Sequence, residues 1–135
     1  MAASPGVLFI ALTEGFDTWF AAPGKIVMRP REGEPFVFQT LHEGRFHSHY
    51  GRFVKLIPDR LVEMTWVTGD PGTRGAETLV SFDLRPAEPG TALRLVHSGF
   101  EDAESVARHE SAWETVVLPH LDAVTSAVGP APAVT

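Results

Sequence analysis

Residues 101–128, EDAESVARHESAWETVVLPHLDAVTSAV, carry the one long helical pattern in the chain, and the rest has to be arranged around it. Apolar side chains recur at Val106, Trp113, Val116, Val117, Leu121 and Val124, the three-and-four spacing of one helix face. Arg108, Ser111, Thr115, Asp122 and Ser126 fall on the other side. As one helix, this segment runs about 26 residues, or roughly 40 Å. His109 and His120 lie near the middle of the apolar stripe. Pro119 interrupts the pattern: it removes a hydrogen bond and sets its ring against the Thr115 carbonyl, at a cost of roughly 3 kcal/mol. The proline either bends the helix toward the surface its apolar face covers, or it starts a second short helix.

The preceding residues read mostly as strands. Ser4-Pro5 predicts a helix start, with Ser4 as cap and Pro5 in the first turn, and a short apolar helix follows to about Thr13. Residues 15–20 add a further turn presenting Phe16, Trp19 and Phe20, closed by Pro23-Gly24. Strands are expected over 25–28, 36–42, 45–57, 60–68, 77–85 and 92–100. Glu43-Gly44 signals a tight hairpin, and Gly51 a bend or bulge. Val62, Met64 and Trp66 share one face; so do Val80, Phe82 and Leu84, and Leu93, Leu95 and His97. Short turns between consecutive strands give an antiparallel meander, and its apolar face needs the C-terminal helix as a cover.

At 135 residues, one domain is expected, spanning 1–128, with a small, Pro-rich and flexible tail over 129–135. The loop 69–75 is flexible by composition. A net charge of −6 without a basic cluster speaks against nucleic acid as a partner. Cysteine is absent, which removes disulfides and thiol chemistry and fits a cytoplasmic location. The first residues have neither a basic leader nor a long apolar run, so no signal peptide and no membrane partner are expected.

The strings SPGVLFIALT, DTWFAAPG, YGRFVKLIPDRLVEMTW, FDLRPAEPGTALRL, HSGF and HESAW, in this order, resemble the SRPBCC (START-like) superfamily. The branch they resemble is named for the C-terminal domain of the Hsp90 ATPase activator, the AHSA1 type. The likeness covers about residues 4–127. It implies an α+β helix-grip fold: a curved antiparallel sheet wrapped around a long C-terminal helix, with a cavity between. Two departures stand out. The family's first strand is missing ahead of Ser4, and Glu34-Pro35 occupy the turn where a second glycine is usual. A missing first strand leaves an edge open to a second copy, so a homodimer is expected.

The resemblance turns part of the aromatic set into candidate cavity lining. The residues singled out are Phe38, Met64, Trp66, Phe82, Leu95, His97, His109, Trp113 and Val117. His97 and His109 read either as buried histidines bonded to backbone or to each other, or as cavity groups that bond a ligand or shuttle a proton. His120 reads as structural, at the closed end of the core. His47 and His49 share a strand face, and with His42 across the hairpin they are the one candidate zinc set. The plainer reading, preferred here, is that they face solvent, so no metal and no cofactor is expected. Glu63 is placed outside, and Glu110 and Glu114 at the rim of the helix.

Three functions follow in order. The first is binding of a small hydrophobic or aromatic molecule between sheet and helix. The second is an enzyme of cyclase, dehydratase or hydrolase type acting on a polyketide-like substrate, with His97 or His109 as acid/base. The third is a co-chaperone-like interaction domain.

Overall fold

The computed structural model describes residues 1–22, 24–69 and 73–128, without the side chains of 127 and 128. The expectations for Pro23, for residues 70–72 of the flexible loop and for the tail lie outside the described residues. Helix α1, Pro5–Ala11, starts as expected: the Ser4 hydroxyl accepts from the Val7 amide, and Pro5 sits in the first turn. It buries Leu8 and, just beyond its end, Leu12. A 3₁₀ turn over Phe16–Thr18 follows, and the Trp19 indole donates to the Ala11 carbonyl at 2.8 Å, tying this turn to α1.

Six antiparallel strands then form one meander in chain order: β1, Ile26–Val27; β2, Pro35–His42; β3, Arg45–Ile57; β4, Leu61–Thr68; β5, Thr78–Pro86; β6, Thr91–Ser98. Alternation decides which side chains enter the core. Phe36 and Phe38 of β2, Phe53 of β3, Val62, Met64 and Trp66 of β4, and Val80, Phe82 and Leu84 of β5 are all buried on the concave face. Glu63 is on the outer face, where it accepts from the Ser81 hydroxyl. The irregularity in β3 lies between Phe53 and Lys55 rather than at Gly51. Gly51 has another role. A Cβ there would overlap the Thr65 carbonyl and the Phe36 ring, so its bare Cα lets β3 and β4 close over the core.

No strand precedes α1 among the described residues. Residues 1–3 instead run beside the start of β6. The Met1 amino group donates to the Thr91 carbonyl at 2.8 Å, the Thr91 amide returns a bond to Met1 at 2.9 Å, and the Thr91 hydroxyl donates to Ala3 at 2.7 Å. Gly90 makes this approach possible, because its φ of 80° and its missing side chain leave room for the backbone of Met1 and Ala2. Beyond Thr91, the outer edge of β6 has no strand partner among the described residues.

The C-terminal helix is neither simply bent nor broken at Pro119. Helix α2, Ala103–Ala112, runs into a π turn, Trp113–Val117, and on into helix α3, Leu118–Val128. The Leu118 amide donates to the Trp113 carbonyl, five residues back. The wide turn lies directly before Pro119, over the residues whose carbonyls a proline ring would strike in a tight helix. It also changes the buried stripe. Ser105, Trp113, Leu121 and Thr125 are buried, while Val106 is 42% and Val116 is 63% exposed, contrary to the expected face. With half-buried His109 and Val117, the inward positions fall at every fourth residue. A regular helix would rotate such a set by about 40° per step, and the π turn takes part of that rotation back. His120, expected at the closed end of the core, is exposed.

Candidate functional site

A cavity of about 610 Å³ opens between β2–β4 and the α2–π segment. Its aromatic walls are Trp66 from β4, Trp113 from the π turn, and Phe20 from the segment after α1. Thr40, His47 and His49 supply polar groups from β2 and β3, and His109 supplies one from α2. Thr68, at the rim, is bonded to Thr73. Each amide donates to the other's hydroxyl, at 2.9 and 2.7 Å, and the Thr73 hydroxyl donates to the Thr68 carbonyl at 3.0 Å.

The structure divides the expected cavity residues into three groups. Trp66, His109, Trp113 and Val117 line the cavity. Phe38, Met64 and Phe82 are fully buried in the core, Phe38 directly beneath His49. Leu95 and His97 lie on the far side of Trp113, in a smaller depression of about 470 Å³ that also touches Phe100 and Val106. His109 and Trp113 border both spaces and form the partition.

His97 is held by a directed chain of hydrogen bonds. The Trp113 indole, which can only donate, gives its N–H to His97 Nδ1 at 3.0 Å. The imidazole proton is therefore on Nε2, which lies 2.7 Å from the Thr78 hydroxyl, and that hydroxyl donates to the Trp66 carbonyl. Burial, with His109 nearby, pushes the His97 pKa down to about 3. Both ring nitrogens are occupied and the ring is neutral. This fits a structural histidine better than an acid/base at ordinary pH.

His109 is held by its own helix, with Nδ1 2.8 Å from the Ser105 carbonyl. Its pKa is lowered, chiefly by burial. Ser105 is fixed in turn by Asp102, which caps α2: one carboxylate oxygen accepts from the Ser105 amide at 2.7 Å and the other from its hydroxyl at 2.9 Å. These two bonds hold the Asp102 pKa below the usual carboxylate range.

His49 is the residue that sequence reasoning misplaced. It faces the concave side, not solvent. Its ring stacks on Phe38 at 4.7 Å and 5°, with Trp66 at 5.2 Å and Phe20 at 5.7 Å meeting it nearly at right angles. Burial pushes its pKa down to about 4. Its Nδ1 is closed off from solvent without a hydrogen-bond partner among the described residues. The His47 carbonyl, set against the ring as a hydrogen-bond acceptor, pulls the pKa the other way. The signal was in the sequence: counting back by twos from the inward Phe53 passes through Gly51 to His49 and His47. Among the described residues, no three His, Asp or Glu side chains are grouped to hold a metal ion.

Comparison with known proteins agrees with this architecture. The AHSA1 protein from Silicibacter pomeroyi superposes with a TM-score of 0.77 at 25% identity, covering 95% of this chain and 94% of that one. A Chromobacterium violaceum protein gives 0.76 at 22% identity, over 93% and 91%. The Aha1 dimer from Colwellia psychrerythraea gives 0.67 at 26% identity, over 93% and 90%. None of the curated proteins matches significantly. Among the described residues, no helix is long and apolar enough to cross a membrane. The family model described as "Activator of Hsp90 ATPase homolog 1-like protein" matches residues 2–125, and with the six-stranded sheet and the gripped C-terminal helix in place, the chain belongs to that family, within the SRPBCC superfamily.

Proposed function

We propose that this protein binds a small hydrophobic or aromatic molecule in the cavity between the sheet and the C-terminal helix, without breaking a bond in it. The observation that carries this reading is the cavity itself. It measures about 610 Å³, is walled by Trp66, Trp113 and Phe20, and has no Asp, Glu, Lys or Arg in its lining among the described residues. Its size is ordinary for a small-molecule site, and its polar lining is made of Thr, Ser, Tyr and His side chains. The enzyme reading loses His97, whose lone pair and proton both have protein partners. It retains His109 as its candidate acid/base, and it ranks second. Stimulation of an Hsp90-type ATPase ranks third and rests on the family's name alone.

Native mass spectrometry of freshly purified protein tests the leading reading. A co-purifying organic molecule, or a rise in melting temperature on adding hydrophobic aromatics, is the expected result. Ligand-free protein whose melting temperature is unmoved by any of them would count against it. The same spectra report assembly. The open edge of β6 beyond Thr91 supports a homodimer, as found for the Colwellia psychrerythraea relative. A purely monomeric species at high concentration would argue the other way. A cytoplasmic location fits the absence of cysteine.

A further inference from the structure

We propose that the ligand is an uncharged aromatic molecule carrying a hydroxyl group, its rings lying between Trp66 and Trp113 and its hydroxyl on the His49 imidazole. This rests on the ligand-binding reading above and narrows it to a chemical class.

His49 cannot turn freely, because Phe38 lies flat beneath it and Trp66 and Phe20 abut it edge-on. Its sealed Nδ1 makes no hydrogen bond of full geometry. The group that acts on the ring as a hydrogen-bond partner is the His47 carbonyl, which only accepts, so the proton sits on Nδ1 and Nε2 keeps a lone pair. With Nδ1 closed off, the ring meets the cavity it lines through Nε2. On the helix side, His109 directs Nδ1 at the Ser105 carbonyl. A carbonyl only accepts, so Nδ1 carries the proton and Nε2 of His109 is left with a lone pair. The cavity thus has an acceptor on its sheet wall and another on its helix wall. A ligand hydroxyl, a neutral donor, gives its proton to the His49 nitrogen, with the His109 nitrogen as a second acceptor for it.

Charge narrows the class from the other side. A carboxylate or an ammonium group would leave water for a lining that offers no Asp, Glu, Lys or Arg among the described residues. Indole and phenyl faces on several sides favour a flat ring system. The volume of about 610 Å³ admits two or three fused or linked rings.

Fluorescence titration of the full chain at neutral pH with naphthalene, 2-naphthol and 2-naphthoate tests the proposal. Wild type is expected to bind 2-naphthol at least about tenfold more tightly than naphthalene, as for a hydrogen bond made in a desolvated site, and to bind 2-naphthoate most weakly. His49→Phe keeps an aromatic ring in the stack and is expected to lose the preference for 2-naphthol over naphthalene. His109→Phe, at the partly exposed partition, should reduce the preference without altering folding by circular dichroism. Equal binding of naphthalene and 2-naphthol by wild type, or a preference that survives His49→Phe, overturns this proposal and leaves the cavity reading intact. Tightest binding of 2-naphthoate overturns the neutral class. Failure of all three probes to bind overturns the cavity reading together with this one.

Discussion

The indole N–H of Trp113 donates to Nδ1 of His97 across 3.0 Å, joining the C-terminal helix to the last strand at the point where the two depressions meet. One bond thereby fixes the partition and the tautomer of the histidine behind it. Trp113→Phe keeps the ring but deletes the donor, and it is expected to cost about 1–3 kcal/mol, because His97 keeps a buried acceptor without a partner. Thr78→Val strands the other nitrogen at a similar cost. The double variant should lose less than the sum, since both changes act on one chain of bonds. Urea unfolding of the four proteins measures this.

Acid should weaken the fold earlier than carboxylate titration alone would. His97 and His49 are held neutral, at about 3 and about 4, against an ordinary value of 6.5. Between those values the unfolded chain binds more protons than the folded one. Stability therefore rises with pH in this window, is fully present above 6.5, and is lost as pH falls toward 3. Melting temperatures taken from pH 7 to pH 4 should fall steadily, and His97→Gln should make the slope shallower. A flat wild-type profile over that range would contradict the assignment.

Gly51→Ala is expected to destabilise the protein by more than about 2 kcal/mol, because its Cβ would meet the Thr65 backbone rather than a side chain that can move aside. A guanidinium midpoint close to wild type would show that β3 and β4 can part there without cost.

Much of the fold was legible because periodicity reports burial. The inward sets Val62-Met64-Trp66 and Val80-Phe82-Leu84 were read correctly, as was the Ser4-Pro5 helix start. The helix face was only partly legible. Ser105 and Thr125 are buried polar residues that bond within their own helix segment, to Asp102 and to the Leu121 carbonyl, so polarity gives no sign of their burial. Val116 is apolar but exposed, within a π turn that shifts the phase, and nothing in apolar spacing reports one; Val106, ahead of that turn, is exposed where it borders the second depression. Pro119 was the visible trace of that shift. In the site, His49 was hidden by the chance that a bend at Gly51 reverses the strand's faces. The strand keeps its alternation through Gly51, and the histidine faces inward.

Pro119→Ala restores a helical N–H and removes the ring that the wide turn accommodates. Stability is expected to hold or to rise by about 1–3 kcal/mol, less than the full cost of a proline in a regular helix. Affinity for 2-naphthol should nevertheless fall if Trp113–Val117 tightens into an α-turn, because Trp113 and His109 would rotate relative to Trp66. Thermal melts and the titration, run on one preparation, separate the two effects. Unchanged affinity would mean that the turn persists without the proline.

The π turn also makes the C-terminal helix a shaft with a slip joint. Ahead of the joint, His109 and Ala112 face the cavity; behind it, Leu121 and Thr125 seat the rod in the core. Because the joint absorbs the angular mismatch, the seat stays fixed whatever residues stand at His109 or Ala112. The specificity of the cavity can therefore drift while the grip that holds the domain together stays in register.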